Sequence, residues 1–320
     1  MGNDPLTNFD APKIPIYNRT SIEDWSHDAV SADGSMGLAL TYSRGSIGSA
    51  IAAQRVFVSV AWPNGTRYLE FASAEQSNFE TCPDKTTGRF YNTGSDFEWK
   101  FESTTDFKLS VTTVNSATVK GTVTMNALVP ALYPNGLQFP DAKGNPMFAP
   151  LLWWEENAPA GTVEANLTIN GTPFVFQGVG GRERNWNSLP WSAVCEEWDM
   201  VRGVVGPYRF IGWRNKSRFG GTQFSLALIK GREVVFRTQN LKPTGSETYG
   251  SISQTNTSSV HLTSTQLLPF SFLNQGLAAI LLTWYLQKLE SIGGSLSTLR
   301  RLCIGFSLAR RHTLGVSLGM

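Results

Sequence analysis

The feature that most constrains the fold of this chain is a period-two alternation of apolar and polar residues, interrupted by tight-turn sequences. Residues 55–61 have valine at every second position before Pro-Asn-Gly at 63–65. Residues 162–169 have an apolar residue at every second position, Val163, Ala165, Leu167 and Ile169, before Asn-Gly at 170–171. Successive side chains of a strand point to opposite faces, and Asn-Gly is a preferred two-residue hairpin turn. Both segments are therefore predicted to be antiparallel hairpins with one buried face.

The same alternation recurs along most of the chain and indicates its fold class. It is present at residues 107–111, 119–125, 208–213 and 224–236, and no long amphipathic helix precedes residue 260. Many short strands separated by Gly, Pro and Asn turns predict an all-β sandwich or barrel. A length of 320 residues is sufficient for about two such domains.

Charge and cysteine usage argue against several functions. The formal net charge is only +2, and no cluster of Lys and Arg interleaved with aromatic residues precedes residue 300, so no nucleic-acid partner is expected. The three cysteines lack Cys-x-x-Cys or Cys/His spacing, and no phosphate-binding, dinucleotide-binding, zinc-protease or Ser/His/Asp pattern is present. We therefore expect no metal, no cofactor, and neither hydrolase nor oxidoreductase chemistry.

The signals for cellular location conflict. Glycosylation acceptor sequences of the form Asn-x-Ser/Thr are more numerous than expected for a cytosolic chain of this length, and they begin at Asn18, Asn64, Asn166, Asn170, Asn215 and Asn256. The first residues nevertheless contain neither the charged nor the apolar segment of a secretory leader. The cytoplasm and the secretory pathway both stay open as locations.

Two segments carry clear recognisable patterns, and a third carries a weaker one. One is a glycine-rich bend followed by a tryptophan-dense strand, with its characteristic residues at Gly178, Gly180, Gly181, Arg184, Trp186, Pro190, Trp191, Met200, Val201, Arg202, Gly206, Pro207 and Tyr208. The other is Asp-Trp-Ser-His-Asp-Ala-Val-Ser-Ala-Asp-Gly at 24–34, and a weaker third lies at 154–161. Together they resemble the fungal Diels–Alderase family, the lipocalin-like pericyclases related to hydroxyneurosporene synthase, over about residues 22–240.

The resemblance implies a fold, a division into domains and an activity. It implies an N-terminal β-sandwich-like domain at residues 1–217 and a lipocalin-like barrel that starts at 218–250, with the pocket between them. It also implies a cofactor-independent Diels–Alder or hetero-Diels–Alder cyclase of secondary metabolism. Its substrate would be a hydrophobic, polyketide-type small molecule, and its partners would be other enzymes of a biosynthetic pathway.

Residues 251–320 depart from the alternating strands of the family. They contain five Lys or Arg but a single acid, Glu290. An apolar run between residues 264 and 287 is interrupted by Pro269 and by Asn-Gln-Gly at 274–276, whereas a membrane span needs about 20 predominantly apolar residues. The apolar run has three open interpretations: a transmembrane segment that would bring the tail into contact with a membrane, a buried or interfacial helix, and an aberrant C-terminus. The tail as a whole either completes the barrel or leaves it incomplete.

The tryptophan-dense strand supplies the first candidate site residues. A period of two places Glu196, Trp198, Met200 and Arg202 on one face, a mixture of aromatic, thioether and charged groups that suits a cavity wall. Arg202 is a candidate catalytic residue, with a structural ion pair of Glu196 with Arg202 or with Arg184 as the alternative. Glu156 and Glu196 are candidate catalytic acids, because burial among aromatic rings raises the pKa of a carboxyl group.

Substrate binding is predicted for aromatic and small polar side chains. An apolar cavity needs aromatic walls, although each tryptophan has the alternative of filling the core between two sheets. Ser26 is included by resemblance, at a position where relatives can carry a carboxylate. Phe57 and Ser59 are expected on the inner face of the first hairpin. The full set of substrate-binding candidates is Ser26, Phe57, Ser59, Trp154, Trp186, Trp191, Trp198 and Met200.

Three functions are compatible with this inventory. A pericyclase needs a pocket that holds diene and dienophile in a reactive arrangement, which removes on the order of 7–11 kcal/mol of the barrier at best, and donors for the dienophile carbonyl. An acid–base hydratase or isomerase acting on an isoprenoid or epoxide would use Glu156 or Glu196 as its proton donor. A non-catalytic lipocalin-like carrier would need the cavity alone.

Overall fold

The computed structural model of the chain describes residues 4–14, 20–46, 52–240, 250–254, 260–263 and 305–307. Nearly all elements in these residues are strands, which confirms the all-β prediction. The apolar run predicted between residues 264 and 287 lies outside the described residues. In the described part of the chain, no helix is both long enough and apolar enough to cross a membrane.

Twelve antiparallel strands form the first sheet. They are β1 (Ile22–Ser31), β2 (Gly37–Ser46), β3 (Ala52–Ala61), β4 (Arg67–Ala74), β5 (Gln76–Thr81), β6 (Lys85–Tyr91), β7 (Glu98–Thr104), β8 (Leu109–Asn115), β9 (Val119–Ala127), β10 (Met147–Ala149), β11 (Leu152–Ile169) and β12 (Thr172–Asn187). Their order across the sheet is β4-β3-β2-β1-β12-β11-β9-β8-β7-β6-β5, and β10 pairs with β11 at the side.

The first sheet curls into a nearly closed barrel. Strands β4 and β5 lie at opposite ends of the pairing order, yet only Glu75 separates them in the chain. The sheet must therefore bend until its two edges approach each other, as the natural twist of strands allows. Its concave face is filled with apolar side chains from opposite walls, including Trp25, Val58, Phe101 and Val163. This interior is a packed core.

A second sheet follows the short helix α1 (Trp191–Val194). Its strands are β13 (Cys195–Val205), β14 (Tyr208–Ser217), β15 (Thr222–Lys230), β16 (Glu233–Asn240) and, at its other edge, β19 (Gly305–Ser307), whereas β17 (Gly250–Gln254) and β18 (Val260–Thr263) pair with each other. The change of sheet falls at α1, upstream of the boundary predicted between residues 217 and 218. The reason is that β13 and β14 pair with each other and then with β15.

The predicted hairpins are present. Strands β11 and β12 are joined by Asn170 and Gly171, whose φ angles of 49° and 78° are the two positive values that a type I′ turn requires. Strands β3 and β4 pair across the Pro-Asn-Gly turn, and Gly65 has a φ of 82°. Turn chemistry and alternation were therefore sufficient to place these strands.

The N-terminal segment at residues 4–14 forms no strand, yet its second half, residues 9–14, packs against the concave side of the first sheet. Phe9 and Asp10 are completely inaccessible, and Lys13 is nearly so. The Phe9 ring contacts those of Phe107 and Tyr133, with centroid separations of 5.5 and 5.0 Å. The segment therefore belongs to the core, which the sequence pattern did not indicate.

The structure bears on the glycosylation sequences at the positions it describes. Asn64, Asn166 and Asn170 are exposed at or near turns. Asn215 is buried, and its side-chain nitrogen donates to the Cys195 sulfur over 3.1 Å. A glycan at Asn215 is incompatible with this fold.

Candidate functional site

The candidate site lies where the convex face of the first sheet meets the second sheet. Strand β1 is buried along nearly its whole length because both of its faces are covered. Trp25 and Ala29 face the interior of the first sheet. By alternation Asp24, Ser26 and Asp28 face the second sheet. Strand β1 therefore contributes side chains to two buried regions, the core of the first sheet and the junction with the second sheet.

Arg202 on β13 is the centre of the site. Its Nη2 donates to Glu156 Oε2 over 2.7 Å, and its Nη1 donates to Asp28 Oδ2. Glu183 Oε2 lies 3.6 Å from the same Nη2. Glu156 Oε1 also accepts a hydrogen bond of 3.0 Å from Trp213 Nε1. One buried guanidinium thus holds three buried carboxyl groups from β1, β11 and β12.

The glycine-rich bend makes room for this cluster. A Cβ atom at Gly178 or Gly180 would overlap the backbone of β1, so these two glycines allow β12 to approach β1 closely. A Cβ atom at Gly181 would instead overlap the guanidinium of Arg202. The first two glycines therefore serve strand pairing, and Gly181 forms the seat of Arg202.

One carboxyl group of the cluster, that of Glu156, has a pKa near neutral pH. Burial raises the pKa of Glu156 to about 7, opposed by Arg202 and reinforced by the Asp28 carboxylate. Burial acts to lower the pKa of Arg202, but Asp28, Glu156 and Glu183 outweigh it and raise that pKa above its ordinary value. At neutral pH the site therefore combines a permanent cation with a carboxyl group that can give or take a proton.

Tryptophans enclose the cluster on the side of the second sheet. The ring centroids of Trp154 and Trp213 are 3.9 Å apart, and Trp198 lies 5.9 Å from Trp154. Trp191 stacks on Trp198 at 6.1 Å and donates its Nε1 hydrogen to Asp24 Oδ2 over 2.8 Å. Trp191 and Trp198 are both half-buried. The apolar wall is thus continuous from the charged centre to the surface.

A small cavity opens beside Glu156. Its volume of about 10 Å³ is close to the minimum that holds one water molecule. Its lining residues are Leu132, Tyr133, Pro134, Glu156, Ile211, Trp213, Ser225 and Ala227. Glu156 therefore borders a space that can hold a water molecule, in addition to its hydrogen bonds with Arg202 and Trp213.

The structure brings five of the predicted site residues together. Glu156, Arg202, Met200, Trp154 and Trp198 all lie at the junction of the two sheets. Trp191, a sixth, contacts them from helix α1. The predicted ion pair between Arg202 and Glu196 is absent because Arg202 is engaged by Asp28 and Glu156.

Glu196 lies on the surface, and the burial among aromatic rings predicted for it was wrong. The register of β13 against β14 shifts between Cys195 and Glu197, so the alternation that would place Glu196 beside Trp198 is broken. Glu196 is on the surface, 2.7 Å from Lys216 Nζ, and the hydrogen bond from Lys216 lowers its pKa. Only Glu156 has the raised pKa that was expected of both acids.

Phe57 and Ser59 lie on the opposite face of β3 from the one predicted. Val56, Val58 and Val60 fill the concave core, which leaves Phe57 and Ser59 on the convex face. The β-branched valines fit the more enclosed face, and the larger ring lies outside. Ser26 is on the same convex face, where its Oγ is 3.2 Å from Thr41 Oγ1.

Trp186 belongs to the concave face and to a second polar cluster. Its ring stacks on Trp153 at 6.2 Å, and the Arg184 guanidinium lies 5.3 Å from its centroid. Arg184 donates to Glu23 and, over 2.7 Å, to the carbonyl of Phe9. Trp186 therefore helps to hold the N-terminal segment, away from Arg202.

Asp28, Glu183 and Trp213 are site residues that the sequence did not single out for this role. Asp28 and Glu183 occur inside recognised patterns, but acidic residues usually indicate an exposed face, and both are almost fully buried. Trp213 follows an alternating apolar run and is indistinguishable there from a core residue. Their position became visible only from the packing of β13 and β14 of the second sheet against β1 and β12 of the first.

Known proteins match the chain over most of its length. The sequence profile of the family described as Diels-Alderase-like matches residues 1–266. The chain belongs to this family. It is similar to the Diels-Alderase poxQ of Penicillium oxalicum, with 32% identity over 77% of this chain and 56% of the relative. It is also similar to the Diels-Alderase cheD of Chaetomium globosum, with 29% identity over 80% of this chain and 61% of the relative.

Membership of this family confirms the resemblance found in the sequence. The comparisons also show how much of its relatives' length the chain spans and which solved structure it resembles. The chain spans little more than half the length of the curated relatives it matches. Its fold is similar to that of the crystal structure of CghA with Sch210972, with a TM-score of 0.59 at 20% identity, covering 73% of this chain and 68% of the other. The chain therefore shares its fold with this solved structure.

Proposed function

We propose that the protein is a cofactor-independent pericyclase that closes a ring in a polyketide-type secondary metabolite by a Diels–Alder or hetero-Diels–Alder reaction. The observation that carries the proposal is the buried Arg202 cluster, enclosed by tryptophans, in a member of the Diels-Alderase-like family. The substrate would be a hydrophobic small molecule supplied by other enzymes of the same biosynthetic pathway.

The geometry of the site matches what a pericyclic reaction needs. No covalent intermediate is required, so catalysis can come from holding diene and dienophile together and from donors placed on the dienophile carbonyl. Arg202 is a fixed cation, and protonated Glu156 offers an O–H donor at the same point. The rings of Trp154, Trp198 and Trp213 provide flat apolar walls beside these donors.

Access to the donors depends on the half-buried tryptophans. The cavity beside Glu156 is only of water size, so a substrate must displace side chains at the junction of the sheets. Trp191 and Trp198 are the side chains of the wall that reach the surface. We propose that they move aside on substrate entry and then pack on the bound chain.

The test is a ring-closing assay with a linear polyene that carries a conjugated diene and an electron-poor alkene. The folded protein should change the diastereomer ratio of the product relative to buffer. Glu156→Gln and Arg202→Lys should lose this effect, whereas the surface variant Glu196→Gln should keep it. A folded wild-type protein that leaves the ratio unchanged for every polyene tried would contradict the proposal.

A second candidate function is supported by the pKa of Glu156. A carboxyl group with a pKa of about 7 beside a water-sized cavity is suited to protonate an alkene or epoxide and to activate a water molecule. The pH dependence separates the two functions. A hydratase or isomerase would follow the titration of Glu156 steeply, whereas a pericyclic step should change little, beyond the loss of one donor.

A further inference from the structure

A hydrogen bond between Trp191 and Asp24 ties helix α1 to the first sheet. Trp191 Nε1 donates to Asp24 Oδ2 over 2.8 Å, although the two residues are 167 positions apart in the chain. Asp24 lies on β1 and is 1% exposed, whereas Trp191 is half-buried. The bond therefore joins an aromatic ring at the outer end of the tryptophan wall to a fixed point in the interior.

Helix α1 is held firmly at its end and loosely at its start. At the end, Val194 is buried and its carbonyl accepts a hydrogen bond of 3.1 Å from the backbone N–H of Arg218. At the start, Pro190 makes no side-chain capping hydrogen bond, and residues 191–193 are half-buried or exposed. The Trp191 side chain thus secures the start of the helix, and a rotation about Val194 carries that ring outward.

The Asp24 carboxylate has two donors, and both are neutral. Besides the indole of Trp191, the hydroxyl of Ser43 donates to it. Within the part of the chain that the structure describes, Asp24 forms no ion pair, in contrast to Asp28 with its contact to Arg202. A buried charged acceptor depends strongly on each of its donors. Loss of the indole N–H therefore carries a cost, and Asp24 favours the closed position of Trp191.

A second donor for Asp24 lies opposite it on β12. Asn185 is in register with Asp24, is 3% exposed, and its Oδ1 has no hydrogen-bond partner among the described residues. Residues opposite each other in antiparallel strands have Cβ atoms about 4.5–5.5 Å apart. A rotation of the Asn185 amide therefore brings its NH2 group within reach of the carboxylate. This replacement offsets part of the cost of losing Trp191, so the wall can open without unfolding.

We propose that Asp24 is the latch of the aromatic wall. Its hydrogen bond holds Trp191 over the junction of the two sheets, and the wall opens when this bond breaks and Asn185 replaces the indole donor. The inference rests on the proposed function, in which Trp191 and Trp198 move aside on substrate entry. Asp24 acts through Trp191, so it is a positioning residue. Removing the bond should shift the equilibrium toward the open wall by about tenfold, the lower end of what a hydrogen bond to a charged group contributes.

Exchange of the Trp191 indole N–H with water, followed by NMR on the full chain, measures how often the wall opens. Trp191→Phe assigns the resonance by removing it. Asp24→Asn keeps the size of the side chain and weakens the bond, so it should speed exchange at Trp191 about tenfold. The Trp213 indole, which donates to Glu156 over 3.0 Å, is the internal control and should exchange as in wild type. Asp84→Asn, at an exposed aspartate, should alter neither rate.

Entry of a ligand tests the same bond by a second route. The probe is N-phenyl-1-naphthylamine, a neutral aromatic fluorophore, mixed rapidly with the full chain. Trp191→Phe retains a ring but removes the donor, so Trp191→Phe and Asp24→Asn should each raise the association rate constant about tenfold. The double variant should show no further increase, because both changes break one bond. Trp62→Phe, a change far from the wall, should leave the rate constant unchanged.

Several results would overturn the latch. One is an exchange rate at Trp191 that is equal in wild type and Asp24→Asn, or that rises together with the rate at Trp213, as general loosening of the fold would produce. Additive effects of the two changes on the association rate constant, or no binding of the probe by wild type, would also overturn it. If Asp24→Asn does not fold, Trp191→Phe decides against Trp62→Phe, and equal association rate constants contradict the proposal.

Failure of the latch and failure of the proposed function give different results. If exchange and association respond as expected but wild type never changes the diastereomer ratio in the ring-closing assay, the latch is correct and the pericyclase activity is wrong. If wild type changes the ratio and Trp191 exchanges equally fast in wild type and Asp24→Asn, the activity is correct and the latch is wrong.

Discussion

A buried arginine cluster lies against each face of the first sheet, and the two clusters differ in how their charges are paired. On the concave face Arg182 Nε donates to His27 Nε2 over 2.9 Å, Nη1 to Ser103 Oγ over 2.9 Å, and Nη2 to Asp10 Oδ1 over 2.7 Å. Each nitrogen of this guanidinium has a partner, and one carboxylate balances one cation.

On the convex face the balance is different. Arg202 holds Asp28, Glu156 and Glu183, so the carboxyl groups outnumber the cation. Burial, reinforced by the Asp28 carboxylate, raises the pKa of Glu156 to about 7. A cation paired with a single carboxylate stabilises a fold, whereas a carboxyl group with a raised pKa that borders a cavity, as Glu156 does, can exchange its proton there. We infer that the concave cluster is structural and the convex cluster is functional.

The strongest test of this comparison is Asp10→Ala. It leaves the buried Arg182 without its carboxylate and should lower the free energy of unfolding by about 3–5 kcal/mol. Urea denaturation measures the loss, and Asp84→Ala, a change at an exposed aspartate, is the control. Ring-closing activity per folded molecule should be retained. A loss of that activity without a loss of stability would reverse the two assignments.

Gly181→Ala tests the convex cluster by disturbing the position of the Arg202 guanidinium. The added Cβ overlaps the guanidinium of Arg202, so the arginine must shift, with a cost to stability of about 1–3 kcal/mol and loss of most ring-closing activity. Gly37→Ala is the matched control, because no atom lies within 4 Å of a Cβ built there. Full activity in Gly181→Ala would show that the position of Arg202 is unimportant.

The pH dependence of stability separates Glu156 from its neighbour Glu155. The folded-state pKa of each is raised to about 7, so each stabilises the fold below the unfolded value of 4.5 and loses that contribution as the pH rises to 7. Between pH 5 and 8 the free energy of unfolding of the wild type should decrease as each of these groups ionises. Glu156→Gln and Glu155→Gln should each make that decrease smaller by on the order of 2 kcal/mol.

The two variants should differ in activity. Glu155 is paired with Lys13 of the N-terminal segment on the concave face, so Glu155→Gln should keep the product diastereomer ratio of wild type. Glu156→Gln should return the ratio toward that of buffer. Equal activities in the two variants would remove the functional distinction between the faces.

Trp213→Phe should have the smallest effect. It removes the indole donor to Glu156 Oε1, at a cost of about 1 kcal/mol in unfolding free energy. Because that hydrogen bond lowers the pKa of Glu156, the titration of Glu156 should move to higher pH. Trp62→Phe, distant from the cluster, is the control. An unchanged titration would mean that Trp213 does not act on Glu156.

Much of the fold could be predicted from the sequence because strands and turns leave local signals. Alternation marked β3, β11 and β14, and Asn170-Gly171 marked the hairpin between β11 and β12. The alternation did not say which face was concave, and Phe57 and Ser59 were placed on the wrong one. The bulge at Glu196 also leaves no signal, since a single extra residue does not alter the composition of the strand.

The site was predictable only in part. Glu156, Arg202 and Trp154 were identified, and the structure brings them together. Their partners Asp28 and Glu183 were missed in this role because burial of a charged side chain depends on a partner far away in the chain. The N-terminal segment was missed for the same reason: its order comes from Arg182 and Arg184, and residues 4–14 have no periodicity of their own.

The position of β1 in the first sheet has a consequence for how the chain acquires its structure. Strand β1 pairs on one side with β2, its immediate neighbour, and on the other with β12, where Ile22 meets Asn187. During synthesis at about 5–20 residues per second, one edge of β1 stays open until β12 has left the ribosome. High contact order slows folding, and an open edge invites aggregation. We expect nascent chains that end before β12 to need chaperones.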